Sequence, residues 1–172
     1  MNSASPLVTN AYIGLGSNLD SPIEQIKSAR LAIKSLADVE ELSFSNLYAS
    51  TPMGPQDQPD YVNAVMGIAT RLSPLDLLHT LQAIEQAHGR VRGNQRWGAR
   101  TLDLDLLLYG DEQIACPELT VPHVGIAERA FVLYPLSDCV QDLFIPGKGN
   151  ITDLLAQCQL SGLRRLNEHE SA

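Results

Sequence analysis

The chain has 172 residues, of which 44% are hydrophobic and 19% are charged. This length favours a single domain whose hydrophobic core needs no disulfide or metal to hold it together. The 12 lysines and arginines against 20 acidic residues give a net charge of -8, which opposes general attraction to nucleic acid or to an anionic membrane.

The three cysteines, Cys116, Cys139 and Cys158, are widely spaced and form no CxxC motif. This spacing argues against a disulfide framework and against a structural zinc site. The first residues lack the charged and apolar regions of a signal peptide, and no apolar run approaches membrane-spanning length. We therefore expect a cytoplasmic protein with reduced thiols.

The first part of the chain predicts one strand, one helix and two further strands. An apolar run from Ala11 to Leu15 predicts a buried strand, and the Gly-Ser-Asn sequence after it predicts a turn. Ser21-Pro22 predicts a helix start, since apolar residues follow at helical spacing. Alternating residues from Glu41 to Ala49 predict a half-buried strand, and the run from Tyr61 to Leu72 predicts another.

The second part predicts a helix that begins at Ser73-Pro74 and a strand from Thr101 to Tyr109. A short strand should end near Pro122, and helices are expected over His123–Leu133 and Ile151–Cys158. The order strand, helix, strand, strand, helix, strand is typical of the ferredoxin-like α+β fold, an antiparallel sheet with helices packed on it. We expect one domain over residues 1–172, with a flexible start at 1–10, C-terminal additions to the sheet and a loosely packed tail at 160–172.

A cluster of arginines runs directly into a pair of aspartates. Four of the twelve cations fall within eleven residues of this acidic chain, and Asp103 and Asp105 follow two residues apart. Carboxylate oxygens hold Mg²⁺, and guanidinium groups bind the remaining charge of a polyphosphate by paired hydrogen bonds. The pattern predicts a site for a Mg²⁺-bound polyphosphate, with these arginines: Arg90, Arg92, Arg96 and Arg100.

Strand geometry places the two aspartates on one face. Residues two apart lie about 6.6 Å apart along a strand, so Asp103 and Asp105 project together while the leucines between and beside them enter the core. A solvated strand face is the simpler interpretation of such a pair. Two like charges side by side nevertheless repel each other unless a cation lies between them.

Other residues are candidates for binding the group that accepts phosphate. Tyr61 and Phe131 could stack on a flat heterocycle, although aromatic residues are more often part of the core. Asn63 lies two residues from Tyr61 on the same strand face and offers both a donor and an acceptor. His123 could donate a hydrogen bond near a triphosphate, and neither a dinucleotide fingerprint nor a P-loop is present.

Four blocks of the sequence, in order, are YIGLGSNL, STPMGPQDQPDYVNA, RWGARTLDLDLLLYG and LTVPH. Together they resemble the 6-hydroxymethyl-7,8-dihydropterin pyrophosphokinase family of the folate pathway. The resemblance extends from residue 11 to about residue 136. It implies a ferredoxin-like fold, transfer of a diphosphoryl group from ATP to the pterin hydroxymethyl oxygen, two Mg²⁺ ions, and small-molecule substrates as partners. We also expect a monomer.

The resemblance also implies roles for particular residues. Asp103 and Asp105 would hold Mg²⁺, and Arg90 and Arg100 would stabilise transition-state charge. The pterin would be bound by Ser50, Met53, Tyr61, Asn63 and Phe131. ATP would be contacted by Glu85, Arg92, Arg96, Trp97, Leu106, Thr120, His123 and Arg129.

Three positions depart from the pattern of the family. Ser50 replaces a threonine that is common in bacterial relatives, Glu118 replaces an arginine that contacts ATP in some of them, and Val124 replaces a tyrosine. The charge reversal at Glu118 predicts weaker nucleotide binding. A Mg²⁺-dependent pyrophosphate or phosphodiester hydrolase, and a binding module that has lost catalysis, are the alternative functions.

Overall fold

The computed structural model describes residues 7–18, 21–50, 60–88, 102–158 and 162–166. The strands are β1 (Thr9–Ser17), β2 (Val39–Phe44), β3 (Tyr48–Ser50), β4 (Tyr61–Thr70), β5 (Asp103–Tyr109), β6 (Ile114–Cys116), β7 (Leu119–Val121), β8 (Phe144–Ile145), β9 (Gly149–Asn150) and β10 (Leu163–Arg165). The helices are α1 (Pro22–Lys34), α2 (Pro74–Ala87), α3 (Ala130–Cys139) and α4 (Ile151–Gln157).

One sheet has the strand order β10-β3-β4-β1-β5, and β2 also pairs with β4. All of its described strand pairs are antiparallel. Each helical crossover, through α1 or through α2, leaves one strand between the two that it connects, which is the split βαβ arrangement. The predicted ferredoxin-like α+β fold is confirmed.

The sheet has a hydrophobic cluster on each face. One cluster joins α1 and α2 to inward residues such as Ile13, Leu104 and Ile68. The other covers only part of the opposite face, where α3 and α4 pack over Val65 and Leu107. Helices α3 and α4 do not cover one end of this second face. Polar residues at that end of β1, β4 and β5 can therefore contact a ligand.

The two long helices begin where the sequence predicted. The Ser73 hydroxyl accepts a hydrogen bond from the backbone N–H of Asp76 at 3.2 Å and so caps α2. Ser21 precedes α1 in a left-handed conformation with φ 64°, and its side chain makes no capping hydrogen bond. The start of α1 was therefore predicted correctly, whereas a capping bond from Ser21 is absent.

The predicted strand over residues 41–49 is two strands. Ser45 interrupts it, because its hydroxyl accepts the backbone N–H of Val65 at 2.8 Å and its own N–H donates to the Val65 carbonyl at 2.9 Å. Beyond these two hydrogen bonds between Ser45 and Val65, β3 pairs with β4 so that Tyr48 lies opposite Asn63. The interruption thus sets the position of β3 beside the candidate site.

The predicted helix over residues 123–133 is wrong, since α3 spans Ala130–Cys139. Residues 123–129 instead form successive turns, in which Ile126 N–H donates to the His123 carbonyl and Glu128 N–H to that of Gly125. Arg129 is extended, with φ -109° and ψ 113°, and its carbonyl accepts the N–H of Leu133 at the start of α3. The apolar residues of this segment pack in turns rather than on one helix face.

Candidate active site

Asp103 and Asp105 lie on the sheet face opposite α1 and α2, as the alternation of β5 predicted. Leu104 between them is buried among the residues that pack under the two helices. Asp105 is exposed and Asp103 is half-buried. Both carboxylates therefore project from the part of this face that α3 and α4 leave uncovered.

Gly16 lies between the carboxylate side and the amide side of this face. It pairs with Asp103 of β5 on one side and with Asn63 of β4 on the other. Paired residues of antiparallel strands share a face, so a side chain at Gly16 would project between these two polar groups. A Cβ there would lie 3.3 Å from Asn63 Oδ1 and 4.0 Å from Tyr61 Cδ1. Gly16 therefore forms a floor between the two halves of the site.

The sequence prediction missed this role of Gly16. It assigned Gly16 to a turn after the first strand, whereas β1 continues through Ser17 because Gly16 and Ser17 pair with Asn63 and Val62. A signal was present, since Gly14 and Gly16 have the two-residue spacing of a strand face. Only the pairing with β4 and β5 gives that spacing its meaning.

Ser50 and Asn63 form a buried polar pair. Asn63 Nδ2 donates to Ser50 Oγ at 2.7 Å, and both side chains are less than a tenth exposed. With Nδ2 engaged, Oδ1 of Asn63 faces the space over Gly16. The Ser50 side chain thus orients the Asn63 amide, a contact that the sequence prediction for Ser50 did not include.

Helix α3 is tied to β3 through Asp138. Asp138 Oδ2 accepts the Tyr48 hydroxyl at 2.9 Å, and it also accepts the backbone N–H and side-chain Nδ2 of Asn46. Burial, followed by the hydrogen bond to Asp138, raises the pKa of the Tyr48 hydroxyl well above its ordinary value. Tyr48 therefore remains a donor near neutral pH and holds α3, which carries Phe131, against the strand of Ser50.

Phe131 is half-buried near the start of α3, and the Arg129 guanidinium lies over its ring at 5.7 Å from the centroid. Arg129 passes so close to Gly125 that a Cβ at the glycine would lie 2.5 Å from Arg129 Nε. Gly125 therefore gives the arginine its path toward the ring. The structure thus brings together Arg129, a predicted ATP contact, and Phe131, a predicted pterin contact.

His123 faces Asp105 from the turn after β7. Its Nε2 lies 3.9 Å from Asp105 Oδ2, beyond hydrogen-bond distance, and its backbone N–H donates to the Leu107 carbonyl at 3.0 Å. Nδ1 accepts the backbone N–H of Gly125 at 3.2 Å. Because Nδ1 is an acceptor, the proton of the neutral ring is on Nε2, the nitrogen nearest the carboxylate.

The other predicted ATP contacts, and the departure at Glu118, differ in their surroundings. Leu106 is buried under the helices, and Thr120 is exposed on β7. The Glu118 carboxylate pairs with His79 of α2 at 2.9 Å. Glu85 is buried and accepts the backbone N–H of Leu104 at 2.7 Å. Six predicted residues lie outside the described part of the chain: Met53, Arg90, Arg92, Arg96, Trp97 and Arg100.

The carboxylate pair fits a Mg²⁺ ion that arrives with phosphate. Mg²⁺ in proteins is usually bound by one or two carboxylates together with substrate phosphates and water. Over the described ranges, no group of three or more His, Cys, Asp or Glu residues is arranged to hold a metal ion. Asp103 and Asp105 thus have the chemistry of ligands for a metal ion that is shared with substrate phosphate.

Fold and candidate site together define a ferredoxin-like α+β protein with two carboxylates side by side on one face of its sheet. The model of the 7,8-dihydro-6-hydroxymethylpterin-pyrophosphokinase (HPPK) family matches residues 12–141. The chain therefore belongs to this family, and the resemblance found in the sequence is confirmed.

Two bacterial relatives are similar over nearly their whole length. Both are named 2-amino-4-hydroxy-6-hydroxymethyldihydropteridine pyrophosphokinase. The Haemophilus influenzae protein is 51% identical over 157 residues, which are 91% of this chain and 98% of the relative. The Pseudomonas aeruginosa protein is 49% identical over 160 residues, which are 93% of this chain and 98% of the relative.

Solved structures of Plasmodium falciparum HPPK-DHPS share the fold. The one with pterin and p-hydroxybenzoate has a TM-score of 0.73 and 12% identity, and the match covers 99% of this chain and 50% of that chain. The present chain thus spans about half the length of that solved protein. At this level of identity the likeness concerns the fold alone.

Proposed function

We infer that this chain transfers the diphosphoryl group of ATP to 6-hydroxymethyl-7,8-dihydropterin, giving AMP and the pterin diphosphate for folate biosynthesis. Its family membership over residues 12–141 supports this activity. The observation that carries the inference is the floor at Gly16, which has Asp103 of β5 on one side and Asn63 of β4 on the other. A phosphate-binding half and a heterocycle-binding half therefore belong to one site.

Asn63 reads the edge of the pterin in this proposal. Its Nδ2 is engaged by Ser50 Oγ at 2.7 Å, so Oδ1 is left to accept an N–H of the ring. Tyr61, on the same strand face, and Phe131, on α3, would stack on the two sides of the pterin. Met53 would contribute to the same pocket.

The phosphate half begins at Asp103 and Asp105, which would hold two Mg²⁺ ions. Bound Mg²⁺ would neutralise the developing charge on the phosphate oxygens and orient them for displacement. Because His123 Nε2 is directed toward Asp105, its N–H can donate to a phosphate oxygen held there.

Positively charged side chains complete the phosphate half. Arg90 and Arg100 would stabilise charge in the transition state, since guanidinium groups donate paired hydrogen bonds to phosphate oxygens. The remaining ATP contacts are proposed for these residues: Arg92, Arg96, Trp97, Leu106, Thr120, His123 and Arg129. Family resemblance adds Glu85, but its carboxylate accepts the Leu104 N–H at 2.7 Å, which favours a role other than ATP contact.

The reaction needs alignment more than acid–base chemistry. The hydroxymethyl oxygen attacks the β-phosphorus, the bond from that phosphorus to the oxygen bridging the α-phosphate breaks, and AMP leaves with that oxygen. The hydroxyl proton passes to solvent. Holding both substrates in line over one floor supplies much of the rate enhancement, because positioning replaces a bimolecular encounter.

Several broader features belong to the same proposal. The chain would act as a single domain over residues 1–172, as a monomer, and in the cytoplasm. No helix within the described ranges is both long and apolar enough to cross a membrane.

An assay of AMP release tests the proposed function. The purified chain is incubated with ATP and Mg²⁺, with and without 6-hydroxymethyl-7,8-dihydropterin, and adenine nucleotides are separated by chromatography. Release of AMP only in the presence of the pterin is expected. Phosphate or pyrophosphate release without pterin would instead identify a hydrolase, and pterin binding without AMP release would identify a binding module.

A further inference from the structure

Glu85 is a buried carboxylate directed at the strand that carries the two aspartates. It lies in the last turn of α2, and its side chain is only 6% exposed. Its Oε2 accepts the backbone N–H of Leu104 at 2.7 Å. A bond this short is typical of a charge-assisted N–H to carboxylate contact.

The position of β5 explains why this contact matters locally. β5 is the last strand in the described order of the sheet, with β1 as its neighbour on one side. N–H groups on the outer edge of such a strand have no further strand to donate to, and a buried donor without an acceptor is destabilising. α2 packs along this edge, and Glu85 supplies an acceptor for Leu104.

Leu104 is the residue between Asp103 and Asp105. Its N–H belongs to the peptide plane that joins Asp103 to Leu104, so holding this N–H restrains the backbone dihedrals on both sides. Those dihedrals set the directions in which both carboxylates leave the strand. A metal site tolerates only small errors, about 0.5 Å, in the placement of its ligands.

We propose that Glu85 is a positioning residue, which aims Asp103 and Asp105 at Mg²⁺-bound phosphate through the Leu104 N–H. This inference rests on the proposed function of the same site. Its role differs from the ATP contact that family resemblance suggested for Glu85, because here the carboxylate acts through β5. The pterin half, built on β3 and β4, should be little affected.

Two conservative variants separate position from charge. Glu85→Gln keeps a side-chain oxygen at the same reach but removes the charge, whereas Glu85→Asp keeps the charge but withdraws the oxygen by about 1.5 Å, one carbon–carbon bond. If the hydrogen bond to Leu104 is what matters, glutamine should substitute better than aspartate. If charge near ATP is what matters, the order should reverse.

The variants are compared by three measurements. Amide hydrogen exchange at Leu104 is followed by NMR, Mg²⁺-ATP binding by calorimetry without pterin, and turnover by AMP release over a Mg²⁺ series. Glu40→Gln is the matched control, since Glu40 is exposed on β2 and lies opposite Ala69, far along β4 from Tyr61.

We expect Glu85→Asp to lose protection at Leu104, to weaken Mg²⁺-ATP binding, and to lower kcat about tenfold, the effect of losing one charged hydrogen bond. Glu85→Gln should remain within about threefold of the wild type, as a neutral hydrogen bond permits. The KM for pterin should stay constant in both variants, and Glu40→Gln should match the wild type.

The proposal is overturned if Glu85→Asp matches the wild type, if Glu85→Gln is the more impaired variant, or if Leu104 exchange is unchanged in Glu85→Asp. A wild-type chain that releases no AMP with pterin would contradict the proposed function alone. Leu104 exchange and Mg²⁺-ATP binding would still decide the role of Glu85, because neither measurement requires turnover.

Discussion

Replacing Gly16 by alanine tests the floor between the two halves of the site. The new Cβ would lie 3.3 Å from Asn63 Oδ1 and 3.9 Å from the Val62 carbonyl oxygen. The first distance is tighter than an ordinary contact, so the Asn63 amide must move by a few tenths of an ångström. That amide is held by Ser50 Oγ at 2.7 Å, and the movement strains this hydrogen bond.

The expected cost follows from that bond. Losing one intramolecular hydrogen bond costs about 1 kcal/mol, which corresponds to about a fivefold loss in kcat/KM for pterin. The methyl group would also occupy space over the floor, so fivefold is the smaller end of the expected range. The melting temperature should change by less than about 4 °C, because a loss near 1 kcal/mol has this effect in a chain of this size.

Gly14→Ala is the comparison variant, since Gly14 lies on the same face of β1 but between Asp105 and Val65 rather than beside Asn63. A Cβ at Gly14 would meet the Leu107 methyl groups at 3.5 Å, an ordinary van der Waals contact under the cluster that α3 and α4 cover. Steady-state kinetics with varied pterin at saturating ATP are measured for both variants. Equal kcat/KM in the wild type and Gly16→Ala would refute the floor, and equal losses in both variants would show that the loss does not come from the contact with Asn63.

Further substitutions test other parts of the molecule. Asp103→Asn or Asp105→Asn should reduce AMP release at least about 100-fold with little change in melting temperature, since each substitution keeps the shape of the side chain but removes the charge of a metal ligand; near-normal turnover would rule out the metal assignment. Ser50→Ala should raise the pterin KM about fivefold by releasing the Asn63 amide, while Ser50→Thr should not; equal KM values would exclude the orienting role. Glu118→Arg should increase the affinity for ATP measured by calorimetry. An unchanged affinity would contradict the prediction that the charge reversal at Glu118 weakens nucleotide binding.

A final prediction concerns acid stability. The hydrogen bond from Arg30, at 2.6 Å, lowers the pKa of the Glu41 carboxyl below its ordinary value. The folded chain therefore gains stability above the unfolded-state pKa and loses it as pH falls through the lowered value. Glu41→Gln should cost no more than about 1 kcal/mol at pH 7, because Arg30 is well exposed, and the difference should vanish at low pH. Denaturant unfolding of the wild type and Glu41→Gln at pH 7 and at low pH measures this difference in stability. A difference that does not change with pH would contradict the ion pair between Arg30 and Glu41.

Local pattern was enough to predict most elements of this fold. The alternation around Asp103 and Asp105 gave the correct faces of β5, since strand geometry assigns a side to every second residue. Ser73-Pro74 correctly marked the start of α2, because an N-terminal cap is made within a few residues. These features depend on neighbours in the chain, and their physics can be read from one segment at a time.

The candidate site depended on pairs that are distant in sequence. Gly16 became a floor only when β1 was seen to lie between Asp103 and Asn63, and Ser50 became the partner of Asn63 only through the pairing of β3 with β4. The predicted helix over residues 123–133 was wrong because residues 123–129 form hydrogen-bonded turns, and their packing against distant segments cannot be read from local spacing. Sequence thus established the family and the chemical groups, while the alignment of strands and helices determined which groups face one another, because each such contact depends on how separate segments pack together.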